Sequence, residues 1–362
     1  MFPATPLTKL TGVGYPILLA PMAGASTPEL AAAVSNAGGL GAFAAGILSP
    51  DAIHAGIARL RQLTSKPFSV NLFILAPLNP DPRQVARALE LLAPIRDELG
   101  LPPGEPLAKY SEDNQAQFEA VLEERPALAS FTFGILAEAQ VAALQGRGIL
   151  VMGTATTVAE AKAWDAVGAD LICAQGSEAG AHRGTFLGDP ESSLVGTMAL
   201  VPQMADAVRV PVIAAGGIMD GRGIGASLIL GAAGAQMGTA FLSCPESGIP
   251  AAWQEALMGA RDDQTRVSRI YSGRHARGLV NEFMRKLTPF SGELPPYPIQ
   301  NALTSPIRQA AGKQNRPEYL SLWAGQAVSM SRGLSAPELF AALVQETRAA
   351  LNLASTPTAA SS

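Results

Sequence analysis

Val212-Ile213-Ala214-Ala215-Gly216-Gly217-Ile218-Met219-Asp220-Gly221 opens a stretch that continues through Leu230-Gly231-Ala232-Ala233-Gly234 to Ala235-Gln236-Met237-Gly238-Thr239. Four apolar residues end on paired glycines, a helical pattern follows and stops on glycine, and a second short apolar run begins. A strand without polar alternation is buried on both faces, as in a parallel sheet covered by helices. The same junction of helix, glycine and strand recurs at Asn36-Ala37-Gly38-Gly39-Leu40 and at Asp165-Ala166-Val167-Gly168-Ala169-Asp170. Working outward, apolar runs at Ile17 to Ala20, Leu40 to Ala44, Phe68 to Ile74, Ala129 to Phe133, Ile149 to Met152 and Leu171 to Ala174 join Val212 to Ala215 and Ala235 to Gly238. Eight strand and helix units over about 245 residues predict an α/β fold, a (β/α)8 TIM barrel, in preference to a doubly wound sheet.

Two regions interrupt the repeat. Residues 76–126 are too long for a plain loop and predict a helical insertion after the third strand, with Arg83 to Leu99 as its helix. Beyond Pro245 the pattern predicts a C-terminal helical cap, with helices at Ala251 to Met258, Arg277 to Lys286 and Pro317 to Arg332, broken by Leu294-Pro295-Pro296-Tyr297-Pro298. The organisation expected is thus a barrel over 1–245, a cap with closing helices over 246–352, and a frayed tail over 353–362.

Composition narrows the function. With 15% charged residues and a formal charge of −4, the chain lacks the basic footprint of a nucleic-acid binder or a polybasic membrane anchor. The start at Met1-Phe2-Pro3 shows no secretory pattern, and Gly223 to Cys244 reads as helix, turn and strand, not as a bilayer span. Two cysteines, Cys173 and Cys244, are too few for a disulfide framework and lack metal-ligand spacing, so no metal is expected and a reducing, cytoplasmic setting fits. Assembly as a homodimer stays open.

Ligands of such barrels sit at the C-terminal ends of the strands, with phosphate held after strands seven and eight. There the chain reads Gly216-Gly217 and Gly238-Thr239. Bare glycines offer backbone N–H groups to an anion, and Thr239 adds a hydroxyl, which together describe a phosphate cradle. After strand six comes the polar cluster Gln175-Gly176-Ser177-Glu178-Ala179-Gly180-Ala181-His182-Arg183-Gly184. His182 is its candidate general base, since an ordinary imidazole titrates near neutrality. His54 and His275 read as structural. Asn71 and Gln175 are amides within apolar strands, and either clamp the barrel backbone or bond the edge of a planar heterocycle.

Ala20-Pro21-Met22-Ala23-Gly24, Asn71-Leu72-Phe73, the Gln175 to Gly184 run, Ala215-Gly216-Gly217-Ile218, Gln236-Met237-Gly238-Thr239 and Leu322-Trp323-Ala324-Gly325-Gln326 resemble the nitronate monooxygenases. The resemblance implies an FMN-dependent barrel that oxidises alkyl nitronates with O2 to nitrite and a carbonyl compound. It implies flavin contacts from Pro21, Met22, Asn71, Gln175 and Gly180, a phosphate held around Gly216, Gly217, Gln236, Met237, Gly238 and Thr239, and His182 as catalytic base. The alternative is an NAD(P)H-dependent reductase of quinones or enoyl thioesters on the same barrel. Two departures from the family pattern bear on substrate. Thr132 lies in Ser130-Phe131-Thr132-Phe133-Gly134, where the family carries histidine, and of a Tyr-Pro-x-x-Tyr-x-x-x-Lys anion clamp only Tyr297 is kept. Thr132 and Tyr297 are therefore the substrate-side candidates. Ala181 replaces a usual glycine beside the base. Arg308 and Lys313 are the cations in reach of the lost lysine, although such side chains on a helix are ordinarily solvated.

Overall fold

The computed structural model describes residues 4–355, so Met1-Phe2-Pro3 and most of the tail expected from 353–362 lie outside the described residues. Its strands are β1 (Ile17–Leu19), β2 (Gly41–Ala44), β3 (Phe68–Phe73), β4 (Leu128–Thr132), β5 (Leu150–Ala155), β6 (Leu171–Gln175), β7 (Ala181–His182), β8 (Val212–Ala215), β9 (Gly234–Met237), β10 (Thr265–Ser268) and β11 (Ala276–Leu279). Eight of them form one parallel sheet in the order β1-β9-β8-β6-β5-β4-β3-β2. Leu40 N–H donates to Ile17 O at 3.0 Å and Leu19 N–H to Leu40 O at 2.9 Å, which ties β2 back to β1 and closes the barrel. All eight strands coincide with the apolar runs of the sequence, because each is buried on both faces and carries its signal locally. Register places Gln175 beside Ala215 and Ala215 beside Gln236, so three strand tips stand at one level.

The helices start where the sequence caps them. Ser49 accepts from Ala52 N–H ahead of Pro50, and Asp220 accepts from Arg222 and Gly223 N–H. Gly153 on β5 is required by packing: a Cβ there would lie 2.0 Å from the Trp164 ring, so glycine lets helix Val158–Ala166 press its indole against the strand.

Between β3 and β4 stand two helices. Pro82–Glu98 packs against the distant helix Ile299–Lys313. Asn114–Glu124 serves as the barrel's own third helix: it buries Phe118 in the barrel core, and Gln117 Nε2 donates to Leu48 O at 2.7 Å. The stretch Gly223 to Cys244 is helix, strand and short helix, and no helix among the described residues is long and apolar enough to cross a membrane.

Two expectations for the region beyond Pro245 are corrected. Ala276–Leu279 is a strand followed by helix Glu282–Leu287, so the helix expected from Arg277 begins five residues late. The first residues are drawn into a three-stranded antiparallel sheet, β10-β11-β7, whose partners are distant in sequence. Pro317 to Arg332 holds only the short 3-10 turns Pro317–Tyr319 and Val328–Met330; Gly325 cannot carry a side chain, because its Cβ would meet Glu178 O at 2.9 Å. The last helix, Ala336–Ser355, returns to the barrel wall and buries Leu339, Phe340 and Leu343 in the barrel core.

Candidate active site

A cavity of about 260 Å³ opens at the C-terminal ends of the barrel strands, under the elements that follow Pro245. Its floor is built from strand interiors, including Met152 and Cys173. Pro21 and Met22 line one side, and Gly216, Gly217, Gln236, Gly238 and Thr239 line another. Met237 turns its side chain away from the cavity. It is 1% exposed and points into the core between barrel and helices, because neighbours on a strand face opposite sides and Gln236 takes the inner one.

The two barrel amides have different duties. Asn71 Nδ2 donates to Ser130 O at 3.1 Å and Ser130 Oγ at 3.0 Å, while its Oδ1 has no protein partner among the described residues. Gln175 spends both ends on one loop, with Nε2 donating to His182 O at 3.0 Å and Oε1 accepting from Gly184 N–H at 2.8 Å. Gln175 thereby positions the segment that carries the base.

That segment is pinned throughout. Ala181 and His182 pair with Arg277 and Ala276 as β7 against β11. Arg183 is buried and donates to Gly176 O and Gln175 O, while Arg277 Nε donates to Ser177 O at 3.0 Å. Glu178 accepts from Thr197 N–H and Oγ1 at 2.9 Å, which makes it the cap of helix Thr197–Ala207.

His182 stands in an aromatic box of Phe133, Tyr297 and Trp323, each ring centroid 5.4 to 5.5 Å from a neighbour's in the set. Its Nε2 lies 2.9 Å from Ser272 Oγ. The Ser272 hydroxyl also lies 3.1 Å from Arg274 O; donating there, its oxygen accepts the Nε2 proton and the lone pair is on Nδ1. Burial first, then the charges of Arg274 and Arg308, push the His182 pKa down to about 3, so the imidazole is neutral at neutral pH. The ordinary value expected from the sequence is thus corrected: two cations and no carboxylate face the ring. Arg274 lies over the Phe133 ring at 4.1 Å and donates to Arg183 O and Thr185 O.

Thr132 Oγ1 meets Thr154 Oγ1 at 3.2 Å on the cavity wall, and Tyr297 lines the same wall, its phenol pushed up to about 12 by burial. Lys313 is exposed, as a solvated helix face requires. Arg308 is not: it turns inward and is the one charged side chain lining the cavity among the described residues. His54 sits outside the cavity against Glu124, and His275 offers its carbonyl to Arg183 N–H. Both cysteines are buried, with thiols pushed up to about 12 by desolvation, and neither is an ionised nucleophile.

The family profile described as nitronate monooxygenase matches residues 4–346. The chain belongs to the nitronate monooxygenase family. A probable nitronate monooxygenase of Staphylococcus saprophyticus is 42% identical over 96% of this chain and 99% of its own length, and one of Staphylococcus haemolyticus is 42% identical over 96% and 98%. Among solved structures, the nitroalkane oxidase of Streptomyces ansochromogenes superposes with a TM-score of 0.89 at 40% identity, covering 97% of this chain and all of that one. FabK of Thermotoga maritima follows at 0.76 and 28%, covering 97% and 98%. Membership in the family makes the chain an oxidoreductase of the flavin-dependent kind.

In this member of the nitronate monooxygenase family, the sequence left Ser272, Arg274, Phe73 and Phe133 unassigned. Phe73 and Trp323 stood inside the motifs that carried the resemblance, but nothing local marks Ser272 or Arg274, which reach His182 only through the pairing of β7 with β11.

Proposed function

We propose that this chain binds FMN in the barrel mouth and oxidises alkyl nitronates, and neutral nitroalkanes after deprotonation, with O2. The residues present fit the mononucleotide. The N–H groups of Gly217 and Gly238 have no protein partner among the described residues. Gly217 has φ +72° and Gly216 +116°, backbone that exposes N–H groups at low cost only in glycine. These groups and Thr239 would hold the phosphate, and Pro21, Met22, Asn71 and Gly180 would border the ring. FMN held by these residues would supply the electron-transfer chemistry between the nitronate and O2.

The protein's share is proton and charge. His182, neutral and with its Nδ1 lone pair free, takes the α-proton of a nitroalkane; the imidazolium formed is offset by the nitronate beside it. The aromatic box excludes water from that pair. The observation that carries the reading is this arrangement: a neutral imidazole and an inward arginine over a cavity walled by glycine backbone.

The test is a visible spectrum of the purified protein, followed by anaerobic mixing with propyl-2-nitronate or with NADH and NADPH. The expected result is a flavin spectrum bleached by the nitronate faster than by either nicotinamide. Faster bleaching by a nicotinamide establishes the reductase instead, and a colourless protein that refuses FMN ends both readings.

A further inference from the structure

We propose that Arg308, reaching inward from helix Ile299–Lys313, is the cation that seats the negatively charged end of the substrate beside His182, and that it makes this site select anions over neutral molecules. The inference rests on the nitronate reading above and supplies the anion holder that the sequence lacks. Of the family's clamp only Tyr297 is kept, and Arg308 stands on the helix that follows it, so the charge arrives from a different register.

A guanidinium placed inside a protein is ordinarily matched by a carboxylate or satisfied by hydrogen bonds on all its donors. Arg308 has neither. Among the described residues, none of the charges acting on it is a carboxylate, and no acidic side chain lines the cavity. Its Nη2 donates to Asn301 O at 2.8 Å and to Asn301 Oδ1 at 2.9 Å, which holds the head in place. Its Nε is buried with no partner at all. A guanidinium held by Asn301, with donors to spare and no carboxylate to neutralise it, beside a cavity, matches the charged oxygen end of a nitronate.

The placement relative to the base gives the selection its sense. Arg308 lines the cavity with His182 and Tyr297 and acts electrostatically on both, so it stands on the proton-transfer side of the cavity. A cation there favours an anion that arrives already formed. It also favours the anion that His182 creates, since the charge develops next to the guanidinium.

The experiment compares the flavin-loaded wild type with Arg308→Gln, Arg308→Lys and, as a control on the exposed part of the same helix, Lys313→Gln. Nitrate, a planar oxyanion that cannot be oxidised in this reaction, is titrated calorimetrically, and KM and kcat are measured for propyl-2-nitronate and 2-nitropropane. In Arg308→Gln the nitrate Kd and the nitronate KM are expected to rise by roughly 10- to 100-fold, the worth of a charge-assisted hydrogen-bonded contact. The KM for neutral 2-nitropropane should move much less, Arg308→Lys should recover part of the loss, and Lys313→Gln should match wild type. Unchanged nitrate binding and nitronate KM in a flavin-loaded Arg308→Gln overturn the proposal while leaving the proposed reaction standing. Should Arg308→Gln fail to fold, Arg308→Lys decides against wild type: a raised nitrate Kd and nitronate KM in Arg308→Lys support the proposal, values equal to wild type overturn it, and nitrate that fails to bind even the wild type overturns the anion site. Nitrate binding that depends on Arg308 in an enzyme inert to nitronates supports the anion site and removes the reaction instead.

Discussion

His182 shows how far one side chain's properties depend on what faces it. An imidazole in the open titrates near 6.5. This one meets Arg274, Arg308, the protonated Tyr297 phenol, the Ser272 hydroxyl and two aromatic rings, with no carboxylate, and its pKa falls to about 3. The folded protein therefore declines a proton that the unfolded chain accepts between pH 6.5 and 3, so stability from this site is full above 6.5 and is lost as pH falls through that window. Thermal melts of the flavin-free protein between pH 7 and 4 should show a steeper acid decline for wild type than for His182→Gln. The same substitution should lower kcat/KM for neutral nitroalkanes by about 10²-fold, the usual weight of a general base, with a smaller loss on preformed nitronates. Equal losses on both substrates would assign His182 an electrostatic part in place of proton transfer.

At the level of elements, the short pairing of β7 with β11 holds His182 at the cavity. It carries strain. Ala181 has φ +58°, left-handed backbone that a Cβ disfavours, and Phe133 on the facing loop has φ +81°. Ala181→Gly should therefore raise stability by up to about 1 kcal/mol, measured by chemical denaturation, whereas Ala181→Val should lower it. A loss of stability in the glycine variant would mean that the Cβ packing outweighs the backbone strain. This ribbon was not legible beforehand. Ala181-His182 is too short to show a strand period, and Arg277 to Lys286 carries an apolar spacing that reads as helix until β10 and β7 claim its first residues.

Across the whole molecule, the barrel depends on a helix that arrives last. Ala336–Ser355 packs against helix Gly221–Ile229 so closely that a Cβ on Gly221 would lie 2.2 Å from Thr347 N, and Phe340, 2% exposed, meets the edge of Tyr15 at 5.8 Å. Phe340→Ala should cost about 3–5 kcal/mol in equilibrium unfolding, with turnover per folded molecule little changed because the side chain is remote from the cavity. A similar loss of turnover in fully folded protein would show that this wall also shapes the site. The eight barrel strands, the glycine tips after β8 and β9, and the placing of His182 after β6 were determined by the chain itself, since doubly buried strands and turn glycines write their requirements into adjacent residues. The inward turn of Arg308, the depressed His182 proton affinity and the grip of Ser272 on its ring were decided only when segments some ninety to one hundred and thirty positions apart came together. Charge and hydrogen bonding act across space, and a local pattern of polar residues on a helix does not reveal which of them will face a cavity.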